Sequence, residues 1–258
     1  MRIKQCKMLN IEQKKTFKYF LKKYSLKKYD NYNKPSVFFS SWNFRSIREH
    51  NSFGLVIWRG SDIIKMGKRL KTIKKMKNIY HVAISSFIAN DLDKYGIKYK
   101  FIPIVGVNLK YFKPSLMGNE IYTYVPDTNS NKYYNRYGME NIKKIEKKCK
   151  YRIKITSPNQ YNRKDLVKIY DKCFCGLRMT KHDGLPSQVI EMGVMGRKSF
   201  YNGNIPGAIK WNENDIDKIL EGIEKEAQKI GTIDLEYSKR IEKFIDVGSE
   251  WLDTGYWE

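Results

Sequence analysis

The 258-residue chain has no run approaching the roughly 18 to 20 apolar residues that a membrane span requires. Its opening residues, M-R-I-K-Q-C-K-M-L-N, carry no secretory apolar region. A cytoplasmic protein is therefore expected. Cysteine is scarce: Cys6, Cys149, Cys173 and Cys175 include one close pair, a C-x-C inside an apolar run, which suits neither a zinc ligand set nor a disulfide framework. They read as reduced thiols packed in a core. No Ser-His-Asp set, Walker A loop, G-x-G-x-x-G or H-E-x-x-H is present, which leaves hydrolase, ATPase and dehydrogenase readings without a site. Fixed-period repeats and low-complexity tracts are also missing.

Acidic residues are short in one half only. Residues 1–118 hold 26 Lys+Arg against 6 Asp+Glu, whereas residues 119–258 hold 24 against 21, so the net charge of +23 lies almost wholly in the first half. Such a field attracts nucleic acid, anionic lipid or an acidic substrate. The plain alternative is a lysine-rich composition with solvated side chains.

Along the chain, residues 1–30 read as a lysine-rich helix with Phe17, Phe20, Leu21 and Tyr24 on one face. The apolar runs S-V-F-F-S and F-G-L-V-I-W read as buried strands. Their trailing loops would lie at a cleft, since ligands in open α/β sheets sit beyond the carboxyl ends of strands. Arg45, Arg48, His50 and Arg59 are the candidate contacts there, with ordinary surface charge as the rival reading. Residues 63–79 place Ile63, Met66, Leu70, Ile73 and Met76 at helical spacing among seven basic residues. That pattern fits a basic amphipathic helix on an anionic membrane surface, or a crossover helix with a solvated basic face. Asp91 and Asp93 form a D-x-D inside a helical pattern and read as surface residues.

P-S-L-M-G (Pro114 to Gly118) breaks the pattern where the charge changes, which puts a domain boundary between residues 118 and 119. Strands and helices then alternate again, so the class is α/β with parallel sheets in two domains.

The stretch T-K-H-D-G-L-P-S-Q-V-I-E-M-G-V-M-G (Thr180 to Gly196) sets Asp183 and Glu191 eight residues apart. Pro186 reads as the first residue of a helix that carries Glu191 in its second turn. The free amides of such a helix start face an anion or a polar ligand. The rival roles are an N-cap for Asp183 and a dipole-complementing charge for Glu191.

With its flanking elements, K-D-L-V-K-I-Y-D-K-C before it and K-S-F-Y-N-G after it, this stretch resembles the nucleotide-sugar half of GT-B glycosyltransferases, particularly glycosyltransferase family 4, and transferases found with bacterial surface-polysaccharide genes. D-G-L-P-S-Q-V-I-E-M-G-V-M-G aligns without a gap to that family's E-G-x-P-x-x-x-x-E-A-M-A-x-G, and the likeness covers residues 120–230. It implies two Rossmann-like domains, the first shortened and facing the acceptor (1–118), the second binding the donor (119–258). Glu191 would accept from the nucleotide ribose, Asp183 would touch the donor sugar, and Gly184, Leu185 and Pro186 would line sugar or diphosphate oxygens.

The family's G-R-x-x-x-x-K-G loop is absent, which leaves Lys132, Arg136, Arg178 and Lys181 as candidate diphosphate cations, with Asn159 and Tyr161 near the base. Transfer from a UDP- or GDP-sugar is implied, with retention and without a metal or other cofactor. The acceptor would be anionic or lipid-linked, faced by Arg45, His50 and Arg59. A DNA-modifying sugar transferase and a non-enzymatic basic nucleic-acid-binding protein are the alternatives.

Overall fold

In the computed structural model, residues 1–7, 14–40, 43–60, 62–105, 108–127, 130–158 and 160–257 are described, of residues 14–17, 131 and 132 the backbone only. Met1–Asn108, His182–Leu185 and Ile245–Glu258 form one unit; Leu109–Lys181 and Pro186–Phe244 form the other. These units differ from the expected spans of 1–118 and 119–258 in the inner boundary, in residues 182–185 and in residues 245–258. Trp251, Leu252 and Trp257 are buried among Ile3, Phe20 and Phe39, so the last residues supply core to the first unit.

The first unit holds β1 (Gln5–Lys7), α1 (Lys14–Lys23), β2 (Lys27–Lys28), β3 (Ser36–Phe39), α2 (Phe44–Arg48), β4 (Gly54–Trp58), α3 (Asp62–Met66), α4 (Arg69–Lys74), β5 (Ile79–Ala83), α5 (Ser86–Lys94) and β6 (Lys100–Phe101). Its strands are parallel in the order β2-β1-β3-β4-β5-β6. Both faces are covered: Leu55 and Ile57 of β4 point into one core, Val56 and Trp58 into the other. A strand buried on two faces shows as an unbroken apolar run, which is why β4 is plain in the sequence.

Two expectations fail in this unit. The single helix over residues 1–30 is a strand, a shorter helix and a second strand. Only Ile3 and Cys6 of the first seven residues are buried and apolar, too few to mark a strand among lysines. The helix over residues 63–79 is two short helices broken at Gly67, whose φ of +49° favours glycine. Ile63, Met66, Leu70 and Ile73 pack on the sheet, as in a crossover, so no apolar stripe remains to lie in a membrane. The lysines stay outside.

The second unit holds β7 (Glu120–Tyr124), α6 (Asn131–Arg136), α7 (Met139–Lys148), β8 (Ile153–Thr156), α8 (Arg163–Asp171), β9 (Cys173–Leu177), α9 (Ser187–Val194), β10 (Lys198–Phe200), α10 (Ile216–Ala227) and most of α11 (Leu235–Ile245). The parallel order β10-β9-β7-β8 places the first strand between the second and third, so the chain reverses direction across β7. Crevices for ligands form at such a reversal, beyond the carboxyl ends of the strands. Both sheets agree with the α/β class expected.

Among the described residues, no helix is long and apolar enough to cross a membrane. The four cysteines are free thiols. Three are buried, and burial pushes Cys173 up to about 12, so these side chains act as small apolar fillers.

Candidate functional site

At the carboxyl ends of β7 and β8 the second unit encloses a cavity of about 340 Å³. Tyr122 and Tyr124 come from β7, Thr156 and Ser157 from the end of β8, Tyr161 and Arg163 from the start of α8, Arg178 from the residue after β9, and Pro186, Gln188 and Glu191 from the start of α9. Asn162 opens α8 by accepting from the amides of Lys164 and Asp165, which fixes Arg163 at its first position.

Glu191 is 2% exposed. Tyr170 Oη donates to its Oε2 at 2.9 Å, and the Arg163 guanidinium pairs with its Oε1. Burial holds the Tyr170 phenol well above its ordinary range, so it stays protonated and is a fixed donor. The ring of Tyr122 stands edge-on to that of Tyr170 at 4.7 Å, and its hydroxyl meets Thr156 Oγ1 at 2.5 Å. Gln188, one turn before Glu191, spends its amide nitrogen on the Leu177 carbonyl at 3.1 Å. That leaves Gln188 Oε1 buried without a hydrogen-bond partner among the described residues. The cavity therefore presents a carboxylate and an amide oxygen, both acceptors, beside two guanidinium groups. Such a wall takes a ligand with hydroxyl or N–H donors and negative charge.

Pro186 is the N-cap of α9 and Ser187 its first residue, one position later than expected, with Glu191 still in the second turn. Neither rival role survives: Asp183 lies three residues before the cap, and the Glu191 carboxylate is engaged by side chains of α8 rather than by its own helix start.

Of the four candidate cations, Arg178 lines the cavity, buried, with its guanidinium 4.7 Å from the centroid of the Tyr137 ring. Lys181 is exposed and pairs with Glu213 at 2.7 Å. Arg136 ends α6, a helix where an open loop was expected. Lys132 lies in α6, and its side chain is outside the described residues, as is the whole of Asn159. Tyr161 is at the cavity rim, half exposed.

Asp183, Gly184 and Leu185 belong to the first unit. The Asp183 carbonyl accepts from Ser85 Oγ at 3.2 Å, its Oδ1 accepts from the Gly184 amide at 2.8 Å, and Leu185 packs on the first core. The Gly184 amide thus donates to its neighbour's carboxylate. A side chain at 184 would meet the Gly60 nitrogen at 3.1 Å, a tight contact that Gly60 would have to relieve by shifting a few tenths of an ångström. His182 Nε2 lies 2.7 Å from Asp91 Oδ2. Asp91, expected on the surface, is 8% exposed for that reason, while Asp93 is exposed.

The expected acceptor-side group does not hold together. His50 is buried at the amino ends of β4 and β5, with Nε2 3.1 Å from the Phe53 carbonyl. It is a core histidine, and burial lowers its pKa. Arg45 is exposed and pairs with Glu49 one turn on, at 3.1 Å. Arg59 follows β4 at its carboxyl end and stacks over Phe39, 4.6 Å from the ring centroid.

Sequence reasoning missed Arg163, Tyr170, Tyr122, Thr156 and Gln188. A signal existed for the first two: they stand seven residues apart, two helical turns, and so share one face of α8.

No family model matches the chain, and no curated protein matches it. Solved structures do. Sucrose-phosphate synthase from Thermosynechococcus elongatus aligns at a TM-score of 0.57 and 13% identity, over 89% of this chain and 72% of that one. TarM aligns at 0.56 and 13%, over 93% of this chain and 56% of that one. A trehalose-6-phosphate synthase aligns at 0.56 and 10%, over 84% and 70%. The chain thus spans little more than half the length of TarM and about seven tenths of the other two. Likeness at this identity speaks to architecture, and on it the chain has the two-sheet α/β fold of GT-B glycosyltransferases.

Proposed function

We propose that the protein is a nucleotide-sugar-dependent glycosyltransferase whose donor nucleotide occupies the cavity of the second unit. The observation that carries this reading is the buried Glu191 carboxylate at the sheet's reversal point, with Tyr170 behind it and Arg178 beside it. A carboxylate accepts from two adjacent ribose hydroxyls in a charge-assisted pair. Arg178 is the cation suited to the charge that develops on a departing nucleoside diphosphate. Asp183 is assigned to the donor sugar by the motif it shares with glycosyltransferase family 4. Among similar structures, TarM from S. aureus was solved with UDP and alpha-GlcNAc-glycerol, at a TM-score of 0.53 and 16% identity, over 91% of this chain and 56% of that one. A UDP- or GDP-sugar donor and retention of anomeric configuration belong to the same reading.

The acceptor is assigned as anionic or lipid-linked. Lys65, Lys68, Arg69, Lys71, Lys74, Lys75 and Lys77 are exposed on and beside α3 and α4, and no carboxylate stands among them in the sequence from 64 to 77. That face is suited to peripheral contact with anionic lipid.

Calorimetric titration with a panel of UDP- and GDP-sugars tests the donor. Binding of at least one is expected; heat from none of them, with tight salt-sensitive DNA binding instead, rejects the transferase. Flotation with anionic and neutral vesicles tests the basic face, and equal recovery with both rejects the lipid contact.

A further inference from the structure

The Glu191 carboxylate has a partner within the chain at each oxygen. One oxygen is held by Tyr170 Oη at 2.9 Å, and the other by Arg163. Neither Glu191 Oε1 nor Arg163 Nη1 has another hydrogen-bond partner among the described residues. The two partners differ in freedom. Tyr170 is 1% exposed and wedged between Phe112 and Tyr122, whereas the Arg163 side chain is 34% exposed at the first position of α8.

We propose that Arg163 is the resident counter-ion of Glu191, a positioning residue that keeps the carboxylate ionised while the cavity is empty and yields Oε1 when nucleotide hydroxyls arrive. This rests on the cavity being the nucleotide-sugar site. A carboxylate buried without a counter-charge takes up a proton instead. A protonated Glu191 would turn one of its acceptor positions into a donor, and two donating hydroxyls would then meet a poorer partner. Among the described residues that line the cavity, no other carboxylate is present. The phenols of Tyr122, Tyr124 and Tyr170 are pushed up by burial and neutral, and Gln188 brings no charge. Arg178, on the β9 side, is the one other cation among the described lining residues, and it is stacked on aromatic rings. The charge state of Glu191 therefore depends on Arg163 first.

The test titrates the full chain with UDP-glucose and GDP-mannose between pH 6 and 8.5, a range in which their phosphodiesters stay ionised. Wild-type affinity is expected to be flat, and Arg163→Lys nearly so. Arg163→Met is expected to lose affinity as pH falls, by about tenfold per unit once Glu191 binds its proton, and to recover toward pH 8.5. Parallel profiles for wild type and Arg163→Met, or a loss equal at every pH, overturn the proposal. An independent reading uses the ligand-free protein: infrared difference spectra at pH 6 should show a protonated carboxyl in Arg163→Met that is missing from wild type and from Arg163→Met with Glu191→Gln. Absence of that band overturns the proposal even if no nucleotide binds, an outcome that would count separately against the donor reading.

Discussion

Trp58 Nε1 donates to His81 Nδ1 at 3.2 Å, between β4 and β5 inside the first unit. An indole nitrogen is a donor only, so Nδ1 must accept and the imidazole is neutral with its proton on Nε2. Burial lowers the His81 pKa to about 4, against an ordinary value of 6.5. Between those two values the unfolded chain holds a proton that the folded chain lacks. Stability is therefore complete above pH 6.5 and falls as pH drops toward 4, by up to about 3 kcal/mol. His50, lowered by the same cause, acts in the same direction. Thermal unfolding followed from pH 7 to 4 should show this slope, and His81→Gln should flatten it; an unchanged slope in the variant rejects His81 as its source.

Donor binding should depend steeply on Glu191 and mildly on the residue behind it. Glu191→Ala is expected to abolish binding with the fold retained, as read by circular dichroism and calorimetry. Tyr170→Phe removes one hydrogen bond to a carboxylate and should cost about 1.5 to 3 kcal/mol in site integrity or affinity. Unaltered affinity in Glu191→Ala would place the donor elsewhere.

Arg178 and Lys181 are three residues apart and predict opposite results. Arg178→Ala should weaken binding of a UDP-sugar by tenfold or more, about 1.4 kcal/mol, with less effect on the bare nucleoside. Lys181→Ala removes an exposed pair with Glu213, the kind of contact worth about 0 to 1 kcal/mol, and should leave both unchanged. An Arg178→Ala loss that is as large for the bare nucleoside as for the UDP-sugar would reject Arg178 as the diphosphate cation.

Asp91→Asn should loosen residues 182–185. The carboxylate accepts from His182 at 2.7 Å and pairs with Lys94 at 3.4 Å, and His182 begins the loop whose Asp183 carbonyl is held by Ser85. Faster amide exchange confined to this loop is expected in mass-resolved hydrogen exchange; protection equal to wild type would show that Ser85 and the Leu185 packing suffice.

Parts of this architecture are written openly in the sequence. β4 and β9 are runs of apolar residues because both faces of each strand are covered, and α9 announces itself by a proline followed by Val189, Ile190 and Met192. β1 is hidden because a three-residue strand with one buried apolar side chain, Cys6, looks like part of a lysine-rich helix. The break at Gly67 was missed because helical spacing continues through it from Met66 to Leu70. The site divides in the same way. Spacing drew notice to Glu191 and the resemblance to the family motif gave it a role, but the identity of its partners depends on how α8 lies on the sheet. Arg163 and Tyr170 look, in sequence, like a surface charge and a core aromatic. His50 erred the other way: a histidine after two arginines reads as a ligand contact, and only burial beside Gly54 reveals it as packing.

Arg197, fully buried in the second unit, gives its guanidinium to the carbonyls of Cys173, Met195 and Leu116 and to Ser115 Oγ, with Asp171 3.7 Å away. One side chain thus ties together the lead-in to β7, the junction of α8 and β9, and the end of α9. In a chain without disulfides, this cation serves as a non-covalent cross-link among three distant stretches of backbone. Pulling any one of them away strands a buried charge, so these stretches should open together. The α8 and α9 walls of the cavity are fastened at their far ends to that common point, which leaves Arg163, at the near end of α8, the freedom to move.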